Sequence, residues 1–92
     1  DTDLTLRFEG VRSDSRCPSD ALCIHPGDAE VAVMASGPAR ELTFTLLVND
    51  RSRSAVDVDG YRVTLEVLSP YPRAGVPIAS DAYRVTLVVS RP

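Results

Sequence analysis

Residues 16–28 read RCPSDALCIHPGD, which gathers both cysteines, the only histidine and two prolines into one short stretch. Four chemistries are open to it. Cys17, Cys23, His25 and Asp28 are all zinc-ligand types. Structural zinc sites, however, set cysteines ~2–4 residues apart and add a second ligand pair elsewhere. Here five residues intervene and no second pair exists. Dithiol redox chemistry needs the C-x-x-C geometry that depresses a thiol pKa, and that spacing is absent. Hydrolysis would need a nucleophile and an orienting acid beside His25. Ser13, Ser15, Ser19, Asp14, Asp20 and Asp28 lie near in sequence, but no G-x-S-x-G motif places any of them. The fourth chemistry is a Cys17–Cys23 disulfide. The intervening chain is long enough to turn back to the ~5.5 Å Cα separation of a bridge. Closing so short a loop contributes ~2 kcal/mol on the chain-entropy argument. The stretch is therefore expected to hold a disulfide, with no metal, no cofactor and no catalytic residue.

A stapled segment can do two things. It can cover one end of a core, or it can be presented as a rigid loop, which loses little entropy when it binds. Covering is the simpler reading. The candidate contact residues of a presented loop are Pro18, Asp20, Leu22, His25 and Pro26. Tyr71 joins them, held extended between Pro70 and Pro72; it too can cover a core end while its hydroxyl reaches water.

The elements around this stretch show themselves by period-two alternation, the mark of half-buried strands. Leu4, Leu6 and Phe8 alternate with Thr5, Arg7 and Glu9, giving a strand that ends near Gly10–Val11. Further strands are expected at 30–35, 42–48, 55–58, 61–67 and 83–89. Gly37-Pro38 breaks the chain within a turn at 36–40, 49–53 is a polar turn, and Asp59-Gly60 is a hairpin signal. One helical or 3₁₀ turn is expected at 18–22, with Pro18 at its first position. YRVTLEV at 61–67 returns as YRVTLVV at 83–89, which the shared binary pattern explains without a duplication. The expected core is Leu4, Leu6, Phe8, Val31, Val33, Leu42, Phe44, Leu46, Val63, Leu65, Val67, Val85, Leu87 and Val89. Arg12, Asp14 and Arg16 alternate and are expected to form exposed ion pairs. The fold class is all-β: a small antiparallel β-sandwich of about six strands with a disulfide-closed loop, or alternatively a partly open β-barrel.

The totals narrow the function classes. The 92 residues fit one domain, 1–92, small enough that its stability is marginal and a staple helps. Net charge is −3, from ten basic and thirteen acidic residues scattered along the chain, so no basic face invites nucleic acid. Every basic residue is arginine. No apolar run approaches the ~18 residues that span a bilayer. The chain opens on a polar segment at Asp1 rather than on a leader, as a trimmed mature domain would. Two cysteines in a small β domain fit an exported protein; a monomer is expected.

Three pieces carry a resemblance: DSRCP at 14–18 followed by Cys23, GDAEV at 27–31, and SPYP at 69–72 with the later YRVTL strand. They resemble a family of small, functionally uncharacterised exported bacterial proteins, many of them predicted lipoproteins. The likeness covers nearly the whole chain. It implies export to the periplasm, the outer cell surface or the medium, a disulfide, an all-β domain near the cell envelope and a lipid anchor in the precursor. It carries no catalytic residue across. This chain departs from the pattern at Ile24-His25-Pro26-Gly27, where the family commonly has Val-Trp-Ala-Gly. The expected function is a non-enzymatic exported or cell-envelope domain that binds another protein or plays a structural part. The alternative is a protease inhibitor presenting loop 17–27.

Overall fold

Alternating β-branched and polar residues build six strands in the computed structural model, which describes residues 4–38 and 40–91. Asp1, the Ala39 position of the expected 36–40 turn and Pro92 lie outside the described residues. The strands are β1 (Thr5–Asp14), β2 (Ala29–Ser36), β3 (Glu41–Leu47), β4 (Ala55–Val58), β5 (Tyr61–Ser69) and β6 (Arg84–Ser90). They form two antiparallel three-stranded meanders, ordered β1-β2-β3 and β4-β5-β6. The architecture is a sandwich, not a closed barrel. A single 3₁₀ turn, Arg51–Arg53, bridges β3 and β4, with the Asp50 carboxylate accepting from the Ser52 N–H at its start.

The two sheets share one core. Ala29, Val31, Val33 and Leu46 from the first sheet meet Leu65 and Leu68 from the second, with Leu6, Phe8, Val11, Phe44, Val56, Tyr83, Val85 and Leu87 packed around them. Burying such side chains is the main stabilising contribution in a domain this size.

Bulges correct the sequence expectation in two places. Strand β1 does not end at Gly10–Val11 but runs to Asp14, with register shifts between Phe8 and Gly10 and between Val11 and Ser13. Strict alternation from Phe8 would turn Gly10 and Arg12 inwards. The shifts place Val11 against the core instead, keep Arg12 exposed and return Asp14 to the partly buried side. In β5 a shift between Leu65 and Val67 does the same: Val67, expected in the core, is exposed, and Leu68 is buried in its place. Leu42 and Val89, also expected inside, are exposed on outer strands. At 18–22 there is no helix, only a turn closed by the Ala21 N–H donating to the Pro18 carbonyl. Asp59 and Gly60, at φ 50° and 82°, make the tight hairpin between β4 and β5.

The meander order gives the sandwich two unlike ends. Leu4, Gly37, Pro38, Asp59 and Tyr61 sit together at one, the turn end. The longer connections 15–28, 48–54 and 70–83 all emerge at the other, the loop end.

Candidate binding surface at the loop end

Cys17 and Cys23 form a disulfide with Cα atoms 6.0 Å apart. The ring stands on a short continuation of the β1–β2 hairpin. The Ser15 N–H donates to the Asp28 carbonyl (2.7 Å) and the Cys17 N–H to the Pro26 carbonyl (2.7 Å). Gly27 makes this closure possible. It sits at φ +70°, and a Cβ there would collide with the Ser15 carbonyl oxygen. The Asp28 carboxylate then accepts from the N–H groups of Ala29, Val48 and Asn49, each at 2.8 Å, while the Asn49 amide donates to the Gly27 carbonyl. One side chain thus ties loop 15–28 to loop 48–54.

The second tie is Arg16. Expected as an exposed partner in surface ion pairs, it is 4% exposed. Its Nε and Nη2 donate to the two oxygens of the Asp14 carboxylate at 2.8 and 2.7 Å. Nη1 donates to the Leu68 carbonyl (2.9 Å) and Nη2 also to the Pro70 carbonyl (3.0 Å). The Tyr83 hydroxyl, just ahead of β6, donates to Asp14 (2.8 Å), and the guanidinium lies 5.2 Å from the centre of the Tyr71 ring. A planar fork that can donate in several directions suits this task, where a lysine could not. The bonds from Arg16 hold the Asp14 carboxyl below the usual carboxylate range, more than burial raises it. The Tyr83 hydroxyl is pushed up, first by burial and then by its bond to Asp14. Burying the pair is tolerable because its donors and acceptors are met: among the described residues no buried side-chain polar atom lacks a partner. DSRCP and SPYP, two of the three pieces of the resemblance, meet in this joint; the Ser69–Pro70 peptide within the second is cis.

The ring itself is fastened on one side. The Ser19 N–H donates to the Pro72 carbonyl (2.9 Å), and the Asp20 carboxylate accepts from the Ala74 N–H (2.8 Å). The other side is bare. Leu22 and Ile24 are 104% and 94% exposed. Among the described residues, no backbone N–H or C=O of 22–25 has a hydrogen-bond partner.

The candidate contact residues therefore divide. Pro18 and Asp20 lie on the fastened side, where Asp20 spends its carboxylate on Ala74. Leu22, His25 and Pro26 are exposed on the other side, and Tyr71 is about half exposed over Arg16. Sequence reasoning missed Ile24 as an exposed residue and Arg16 and Tyr83 as a joint. The Asp-x-Arg spacing running into a cysteine was the available signal for the joint. Among the described residues no three of His, Cys, Asp and Glu gather to hold a metal. A groove of about 460 Å³ between β3 and β4 is lined by Phe44, Leu46, Val56, Ser52, Arg53 and Glu30, with no His or Cys. No helix is long and apolar enough to cross a membrane among the described residues. No known protein family, curated protein or solved structure matches the chain.

Proposed function

We propose that the chain is a non-enzymatic, exported module that binds another protein through its loop end. One observation carries the reading: two large aliphatic side chains, Leu22 and Ile24, stand fully exposed on a covalently closed ring whose opposite side is bonded to the scaffold. Leaving them in water is costly, and rigidly held apolar tips are what a concave partner surface can desolvate at low entropic cost. The bare backbone of 22–25 favours a protein over a lipid surface. Unpaired N–H and C=O groups resist entry into hydrocarbon, whereas a polypeptide partner can satisfy them. Export is supported by the disulfide and by the resemblance to small exported bacterial proteins.

The test is site-specific photo-crosslinking in the native host. A crosslinking residue replacing Leu22 should trap a discrete protein, and one replacing Asp57, on the second sheet, should not. That protein, purified, should bind the wild-type domain and lose at least about tenfold in affinity, ~1.4 kcal/mol, for the Leu22→Ser/Ile24→Ser variant. Equal trapping from both positions, or an affinity indifferent to the double variant, overturns the reading.

A second reading, protease inhibition, is favoured by the same bare backbone, because an inhibitory loop offers its main chain to the enzyme's cleft. Inhibition of a serine protease with an apolar specificity pocket, abolished by Leu22→Asp, would establish it. No inhibition across a protease panel well above micromolar concentration would remove it.

A further inference from the structure

The four outer strands of the sandwich are not equally defended. A free strand edge is a template for pairing with another chain, and proteins blunt it with bulges, brevity, charge or a cover. Strand β1 is doubly bulged and carries the Arg7–Glu9 pair. Strand β4 has only four residues. Strand β3 has the Arg51–Arg53 turn against it, and Leu46, next to its last residue, is buried. Strand β6 has none of these defences. It runs seven residues, RVTLVVS, with no proline and its charge confined to Arg84. Its Val88 and Val89 are 43% and 41% exposed.

The geometry points to a second copy of this chain on that edge, paired β6 to β6 about a two-fold axis through Leu87. An antiparallel ladder centred there sets Leu87 against Leu87, Val85 against Val89, Thr86 against Val88 and Arg84 against Ser90. Inner-face residues meet inner-face residues, β-branched side chains face each other, and no like charges stand opposite. The two β4-β5-β6 sheets then join into one six-stranded sheet, and the exposed valines of each copy are covered by the other. The result is a dimer in place of the monomer expected from the sequence. Because the strands run antiparallel, its two loop ends face in opposite directions, which leaves both free for the partner proposed above. An added strand from an unrelated protein would gain no such match of every position with its symmetry mate.

Light scattering on a dilution series of the wild-type domain tests this. The expected result is a concentration-dependent mass of twice 9.9 kDa with no growth beyond it. Thr86→Lys/Val88→Lys puts like charges at both cross-axis pairs and should leave a monomer with an unchanged circular dichroism spectrum. Thr86→Lys/Val88→Glu restores opposite charges in the same register and should recover the dimer. Should the double-lysine variant fail to fold, Val88→Lys alone sets a charge on each side of the axis and is expected to weaken the dimer at least tenfold. A wild-type monomer at millimolar concentration, open-ended growth, or a dimer indifferent to these substitutions overturns the proposal.

Discussion

The two sides of the disulfide ring differ in almost every physical respect, although only a few residues separate them. Residues 17–20 are bonded: Cys17 to Pro26, Ser19 to Pro72 and Asp20 to Ala74. Beneath them Arg16 locks Asp14 to the carbonyls of Leu68 and Pro70. Residues 22–25 have no such bond and carry the two most exposed large aliphatic side chains among the described residues. A loop floating free would show neither side bonded, and a corner that merely covers the core would bury its leucine. The contrast teaches that the fold spends its polar bonds on holding the ring still and leaves the apolar tip outside. Two of the Arg–Asp pairs make the same point. Arg62–Asp57 lies at 2.9 Å on the surface, while Arg16–Asp14 at 2.7 Å is nearly excluded from solvent. The first is worth little; the second is costly to break.

The comparison can be broken most severely at Arg16. Arg16→Ala removes one member of a buried pair and orphans two carbonyls, so urea unfolding should report a loss of about 3 kcal/mol or more. The same pair sets an acid limit. The Asp14 carboxyl is held low in the folded state, so its contribution to stability is present above the unfolded value of ~3.9 and is lost as pH falls through the folded value. Wild-type unfolding midpoints should therefore drop on acidification below about pH 4, and Asp14→Asn should flatten that dependence. Cys17→Ser/Cys23→Ser should cost about 2 kcal/mol in the same assay, from reopening a short loop. Asp20→Ala, which frees the ring from Ala74, should cost about 1 kcal/mol. Leu22→Ser/Ile24→Ser sharpens the contrast from the other side: stability should change by less than about 0.5 kcal/mol, because no packing is lost, while partner affinity falls.

Much of the fold could be read from the chain. Alternation located every strand, Asp59-Gly60 announced its hairpin, and the cysteine spacing pointed to the staple. The errors fall where local pattern and three-dimensional register part company. Val67 alternates correctly with Leu65, yet one bulge hands its place to Leu68. Arg12, Asp14 and Arg16 look equivalent on an alternating segment, but the bulges of β1 send Arg12 to solvent and leave Asp14 partly buried. Whether Arg16 is buried depends on carbonyls more than fifty residues away, at Leu68 and Pro70, which no local window contains. At the loop end, the sequence could name Leu22 and His25 as candidates. It could not show that Asp20 is committed to Ala74, nor that Ile24 stands as exposed as Leu22.

Residue-resolved amide hydrogen exchange on the free domain tests the division of the ring most directly. The N–H groups of Cys17, Ser19 and Ala74, hydrogen-bonded to Pro26, Pro72 and Asp20, should be protected from exchange. Those of Leu22, Cys23, Ile24 and His25 should exchange at the rate of an open chain. Protection of 22–25 in the isolated protein, or its absence at Ser19 and Ala74, would contradict a ring held on one side and presented on the other.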